Sequence, residues 1–225
     1  MTLTIHHLHR SQSERVVWLC EELNIPYKLE TYDRDPTTLS APAQYRNLHW
    51  TGTAPIITDG PITLAETGAI FEYLLTKYGH GKLALPPTHP QYPDYLFWLH
   101  NANGSLMPGL LQLMFSRMNS PTSPTEDMGA QVFQKRVDAN FQGMDAQLAQ
   151  YPYLAGEELT AADCMVLFSL TTFRTFSPFS LEAYPNIVRY LERVSRRAGY
   201  KSAMAKAEPG MEPVVSAAVP KSIFG

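Results

Sequence analysis

Short extended runs and helical patterns alternate through the N-terminal third of the chain. Thr2 to Leu8 is an extended run, and Arg15 to Asn24 then sets Val16, Leu19, Cys20 and Leu23 on one helical face. Asn24-Ile-Pro-Tyr27 ends that helix, because the residue before a proline is pushed out of the helical region, and Tyr27 to Tyr32 supplies a second strand. A polar stretch with Pro36 and Pro42 leads to two apolar runs, Pro55 to Thr58 and Pro61 to Leu64. The turn pair Asp59-Gly60 between them predicts a hairpin. Thr67 to Tyr78 returns to helical spacing through Ile70, Phe71, Leu74 and Leu75. The order β-α-β-(α)-β-β-α predicts a small mixed sheet with helices packed on it.

Pro86, Pro87, Pro90 and Pro93, with Gly79 and Gly81, mark a stiff linker. It divides residues 1–79 from 94–225, with 80–93 between. Beyond it the pattern is helical throughout: Asp94 to about Met118, Glu126 to Gln150, Ala161 to Phe176 and Tyr184 to Ala198. Thr160-Ala-Ala-Asp163 has the spacing of a capping box ahead of the apolar run Cys164 to Phe168. The tail from Glu208, with Pro209, Gly210, Pro213 and Pro220, reads as irregular and superficial.

Composition narrows the class. A hydrophobic fraction of 44% suffices for a packed core, and 18 Lys plus Arg against 21 Asp plus Glu leaves a net charge of -3, which excludes the basic footprint of a nucleic-acid binder. The N-terminal run is too short and too rich in histidine for a secretory signal, and no segment approaches the apolar length of a membrane span. Two cysteines, Cys20 and Cys164, make no disulfide framework and fit a reducing compartment. The expectation is a cytoplasmic protein with no membrane partner.

The candidate chemistry lies at element edges. Ser11 opens the first helix, and Ser11-Gln-Ser-Glu14 matches a capping box. Position alone reads Ser11 as a cap; a hydroxyl at the positive end of a helix is also placed to donate a hydrogen bond to a bound thiolate and so lower a thiol that ordinarily titrates near ~8.5. Ala54-Pro55 precedes a strand. Its proline reads as an edge marker, or, with a cis bond, as a turn that presents the Ala54 N–H and C=O to an extended peptide. Glu66-Thr67 precedes the third helix. Thr67 reads as its cap, or its hydroxyl and the free helix N–H groups hold a carboxylate while Glu66 holds a neighbouring ammonium. In their functional readings the three sites describe an amino-acid head, an extended peptide middle and a thiol, which is glutathione.

Cys20, on the apolar face of the first helix, reads as a core thiol. His6, His7 and His9 stand at strand spacing without Cys or carboxylate partners in view, so no metal is expected. Met107, Met114 and Met118 at helical spacing read as core.

The run His6 to Leu23, the segment Gly52 to Gly60, Leu64 to Leu74, Trp98 to Pro108 and the Thr160 to Asp163 box together resemble the glutathione S-transferase family, and within it the serine-type bacterial and fungal members. The resemblance runs to about Ala198. It implies a thioredoxin-like α/β domain followed by an all-α domain, and a cytosolic homodimer that takes glutathione as co-substrate. It further implies that Ser11 activates the thiol, while Ala54, Pro55, Glu66 and Thr67 bind the tripeptide. Many members carry a basic or amide side chain two residues before the cis-proline; here that place is Thr53, preceded by Trp50 where proline is common, so the glycyl carboxylate falls to Thr53, His49 or Arg10, with Arg34 an outside candidate. The resemblance sets the first helix of the second domain beside the active site and at the dimer contact, with His100, Asn101, Asn103 and Met107 toward an apolar second substrate. Conjugation of glutathione to an apolar electrophile is the leading reading. The same thiolate would reduce an organic hydroperoxide, and a non-catalytic regulatory or assembly protein on this fold is the third.

Overall fold

The computed structural model describes residues 2–119 and 128–224. The chain divides into a sheet unit, Met1–Pro87 with Val194–Pro213, and a helical unit, Thr88–Arg193 with Val214–Gly225. This departs from the expected division, in which everything from 94 to 225 forms one domain: the chain returns to the sheet unit for one more helix.

In the sheet unit β1 (Leu3–Leu8), β2 (Tyr27–Tyr32), β3 (Ile56–Asp59) and β4 (Ile62–Ala65) form one sheet in the order β2-β1-β3-β4. β1 pairs parallel with β2, Ile5 opposite Leu29, and antiparallel with β3, Ile5 opposite Ile57. A central strand covered on both faces shows little alternation, and β1 is buried nearly throughout. Period-two geometry still sets Leu3, Ile5 and His7 on one face and Thr4, His6 and Leu8 on the other. On the second face Leu8, Ile56 and Ala65 pack around Tyr45, carried by the short α2 (Ala43–Arg46).

α1 (Ser13–Leu23) lies against the first face through Val16, Val17, Leu19 and Cys20, all fully buried. It ends where expected: Asn24 adopts the left-handed conformation and its N–H caps Cys20 and Glu21 carbonyls. α3 (Thr67–Tyr78) buries Ile70, Phe71 and Leu74. Tyr73, Lys77 and Tyr78 converge on one oxygen of Asp59 at the end of β3, at 2.8, 2.6 and 2.5 Å.

The returning helix, Ala198–Ala207, packs on α1: Arg197 forks onto Glu22 with two contacts of 2.8 Å, Trp18 donates its indole N–H to the same carboxylate at 3.0 Å, and the Trp18 and Tyr200 rings meet edge to face. The approach is close enough that a Cβ at Gly199 would lie 2.7 Å from Glu22, which explains a glycine there.

In the helical unit the run predicted over 94–118 is two helices, α4 (Tyr92–Asn101) and α5 (Met107–Asn119), joined without a break by a π-helical turn, Ala102–Leu106. α6 spans Met128–Gln150, and the predicted start at Glu126 lies outside the described residues. α7 (Ala161–Leu170) is buried on every side, so the predicted helix stops before Phe176 and the chain continues as a 3₁₀ turn, Thr172–Thr175. The capping-box carboxylate is in place: Asp163 accepts the Thr160 N–H at 2.8 Å and the Leu154 N–H at 3.0 Å. α8 (Pro185–Ser195) closes the set, and the returning helix is α9.

The tail is not loose. Arg174, fully buried, donates to the carbonyls of Phe179, Ser216, Ala217 and Ala218, and the Ile223 N–H reaches Thr175 O at 2.9 Å. Among the described residues no helix is long and apolar enough to cross a membrane.

Candidate functional site

The loop between β1 and α1 carries Ser11 into the sheet unit, where its side chain is 6% exposed. The capping box expected over Ser11–Glu14 is not formed by the side chains. Gln12 is the residue ahead of the helix, the Glu14 N–H goes to the Ser11 carbonyl, and the Ser11 hydroxyl oxygen accepts the Ser13 N–H at 3.2 Å and lies 2.6 Å from Ser13 Oγ. The helix begins one residue later than a Ser11 cap requires. That leaves Ser11 Oγ facing Ser13 at the positive end of α1.

Behind Ser11 the polar side chains form a continuous buried line. Ser13 Oγ is 2.8 Å from His7 Nδ1 and also accepts the Leu8 N–H at 3.2 Å. His7 Nε2 is 3.1 Å from Glu208 Oε1, which also takes the Arg10 N–H. His9 Nδ1 lies 3.4 Å from Glu208 Oε2. Burial alone would raise the Glu208 carboxyl, but the His7 hydrogen bond and charge, the Arg10 N–H and His9 outweigh it and hold the group below the ordinary glutamate range. Arg10 itself sits at φ 53, in the left-handed region, which aims its N–H inward.

His7, His9 and Glu208 bring three ligand-type atoms within 4.8 Å of one another. The strand histidines therefore do have a carboxylate partner, contrary to the sequence reading. The Arg10 N–H and His7 Nε2 both lie on Glu208 Oε1, so hydrogen bonds join this group to the β1–α1 loop.

The Ala54–Pro55 bond is cis, with Pro55 buried and Ala54 half-buried at the start of β3. Glu66 takes the place ahead of α3 that the sequence gives to Thr67, so Thr67 is the first helical residue. Glu66 is exposed and held at φ 71, a value uncommon outside glycine and found where surroundings enforce it. Thr67 is 2% exposed, at a helix end whose first N–H groups have no intrahelical acceptor. Arg15, fully buried in α1, feels the Glu14 and Glu66 carboxylates; its burial lowers the guanidinium to about 9, and the two acidic groups work against that fall.

Of the residues named for the glycyl end, His49 Nδ1 lies 2.9 Å from Thr51 Oγ1 and 3.3 Å from the Thr51 N–H, holding the ring against its own turn. Thr53 and the Arg10 side chain are exposed. Arg34 is committed to the loop itself, donating to the carbonyls of His9, Arg10 and Leu39. Trp50 is 90% exposed. Cys20 is buried in the core, where the loss of solvent pushes its thiol well up and out of reactive range.

Of the helical-unit candidates, His100 is exposed and Asn103 half-buried. Asn101 is buried and donates to Asn140 at 2.7 Å, and the Met107 sulfur meets Ser169 at 3.5 Å. A cleft of about 320 Å³ opens between α5 and α6, with Leu113, Arg117, Ala130 and Gln134 among its walls, and none of the four candidates lines it.

Residues 9–77 match the glutathione S-transferase N-terminal domain model and residues 106–198 the C-terminal one. The chain is 31% identical over 216 residues to glutathione S-transferase 3 of Schizosaccharomyces pombe, covering 92% of this chain and 88% of that protein. The crystal structure of a glutathione S-transferase from Actinobacillus pleuropneumoniae superposes with a TM-score of 0.77 at 30% identity, over 94% of this chain and 95% of that one. A glutathione transferase from Burkholderia graminis, solved with two glutathione molecules per subunit, shares the fold at a TM-score of 0.72 and 20% identity, over 93% and 90% of the two chains. With a mixed four-stranded sheet unit, a helical unit and a relative of this identity over nearly its whole length, the chain belongs to the glutathione S-transferase family.

Proposed function

We propose that the protein conjugates the thiolate of glutathione to apolar electrophiles, with Ser11 donating a hydrogen bond to the sulfur. The carrying observation is the buried Ser11 hydroxyl at the N-terminus of α1, whose oxygen accepts the Ser13 N–H at 3.2 Å and lies 2.6 Å from Ser13 Oγ. A hydrogen-bond donor at a helix N-terminus favours the thiolate over the thiol. The bound glutathione of the Burkholderia graminis relative supports the co-substrate.

In this reading Thr67 and the first N–H groups of α3 take the γ-glutamyl carboxylate, Glu66 takes its ammonium, and Ala54 with Pro55 lines the peptide. The glycyl carboxylate falls to His49, Thr53 or Arg10, of which Thr53 and Arg10 are exposed. The second substrate is assigned to His100, Asn101, Asn103 and Met107 of the helical unit, of which His100 is exposed and Asn103 half-buried. The active species is a cytoplasmic homodimer.

The test is glutathione titration by calorimetry together with conjugation of a generic aryl halide. Wild type binds and turns over; Ser11→Ala retains binding and loses about 100-fold or more in kcat/KM. An unchanged rate in Ser11→Ala would remove Ser11 from the chemistry.

A further inference from the structure

We propose that Ser13, His7 and Glu208 form a proton relay behind Ser11, through which the glutathione thiol delivers its proton to a buried imidazole. The proposal rests on the transferase reading and supplies what that reading lacks, a destination for the proton.

The hydrogens along the line fix its direction. Glu208 accepts the Arg10 N–H, and as a carboxylate it has no hydrogen to give, so His7 must present Nε2–H to it. With that proton fixed, His7 Nδ1 in the neutral ring is an acceptor, and the donor 2.8 Å away is Ser13 Oγ–H. Ser13 has then spent its hydrogen. Its oxygen accepts from the Leu8 N–H at 3.2 Å and from the Ser11 hydroxyl at 2.6 Å. Ser11 in turn has spent its own hydrogen, and its oxygen is an acceptor open to a thiol S–H. Every donor in the resting line thus points inward, from the ligand toward His7.

Glutathione reverses the line. The S–H bond breaks as the proton passes to Ser11 Oγ, the former Ser11 hydrogen passes to Ser13 Oγ, and the former Ser13 hydrogen forms the Nδ1–H bond of His7. The electron pair stays on sulfur and nothing is oxidised or reduced. The products are a thiolate and an imidazolium whose two N–H groups face Ser13 and Glu208. Each hydroxyl now donates outward, and Ser11 O–H ends as the donor to sulfur that the transferase reading requires. The imidazolium is 0% exposed, so a lone charge there would be costly, and the Glu208 carboxylate offsets it at 3.1 Å. His9, Arg10 and Arg34 from the β1 and β2 ends also face Glu208, Asp33 lies 3.6 Å from His9, and the His9 ring meets the His7 ring edge to face at 5.3 Å between centroids. Ser13, His7 and Glu208 do not reach the sulfur; each acts through Ser11 as a positioning residue.

The relay is tested by titrating the ultraviolet band of glutathione thiolate bound to the full chain, which needs no second substrate, with the pH profile of kcat/KM for an aryl halide beside it. Ser13→Ala cuts the line while leaving Ser11 and the His7–Glu208 pair; Ser13→Thr keeps the hydroxyl; Glu208→Gln removes the counter-charge. Expected are thiolate titrations displaced upward by about one pH unit or more in Ser13→Ala and Glu208→Gln, about tenfold to a hundredfold lower kcat/KM at neutral pH, near-normal glutathione affinity, and recovery in Ser13→Thr. Should Glu208→Gln fail to fold, the Ser13 pair decides alone. An unmoved titration in folded Ser13→Ala, with activity still lost in Ser11→Ala, overturns the relay and leaves the transferase reading standing. Full activity in Ser11→Ala overturns both. A stoichiometric divalent metal in the purified protein, lost in Glu208→Gln, would replace the relay with a metal centre.

Discussion

Two buried aspartates respond to pH in opposite directions. Asp163 is fully buried at the start of α7, and burial pushes its carboxyl up to about 6 against the pull of the Leu154 and Thr160 N–H donors. The folded state therefore holds this proton up to about pH 6 while the unfolded chain releases it near 3.8, so raising the pH through that window costs stability. The stability of wild type relative to Asp163→Asn should fall by about 2–3 kcal/mol between these pH values and stay flat above them, measured by denaturant unfolding at each pH. Asp59 behaves the other way. Its burial favours the neutral acid, but Lys77, Tyr78 and Tyr73 outweigh it and hold the carboxyl at about 2. Its contribution is complete above the unfolded value near 3.8 and is lost as the pH falls toward 2. Asp59→Asn should cost about 1–3 kcal/mol at neutral pH in the same measurement, and the gap from wild type should close in acid.

At the scale of elements, α9 matters most to the site, because the residue just past its end is Glu208. Its polar attachment runs through two carboxylates of α1, Glu22, which accepts from Arg197 and Trp18, and Glu21, which accepts from Ser202 and Lys206. Glu22→Ala leaves both donors without their acceptor and should lower the unfolding free energy by about 1–3 kcal/mol, read by chemical denaturation. α9 was also the least visible element. Its sequence, Ala-Gly-Tyr-Lys-Ser-Ala-Met-Ala-Lys-Ala, buries Tyr200, Ala203, Met204 and Ala207, and alanine between lysines gives too faint an apolar stripe to separate it from a tail. β1, α1, β3 and α3 bury Ile, Leu, Val and Phe at regular spacing, which makes them legible in the sequence. The π turn at Ala102–Leu106 holds Asn103 and Gly104 yet ends neither flanking helix, so the helical spacing on its two sides reads as one run.

Across the whole molecule, legibility of the site followed distance along the chain. Ser11, Pro55, Glu66 and Thr67 sit at element edges, where local sequence reports local geometry. The pairing of His7 with Glu208 joins residues 201 apart, and no spacing rule reaches that far. The same holds for Arg174, whose guanidinium gathers carbonyls more than forty residues on. Arg174→Lys keeps the charge but not the planar fork, and limited proteolysis should then cut within residues 214–224 at enzyme concentrations that leave wild type intact.

The origin of Glu208 near the far end of the chain orders events during synthesis. At roughly 5–20 residues per second, His7 and Ser13 are translated roughly ten to forty seconds before the carboxylate that completes their line. A nascent chain, or one released by an early stop codon before Glu208, carries every residue that would grip glutathione and lacks the counter-ion for its proton. If the relay holds, the sulfur bound to such a fragment would be a weaker nucleophile than in the full chain, and full reactivity would wait until translation has passed Glu208.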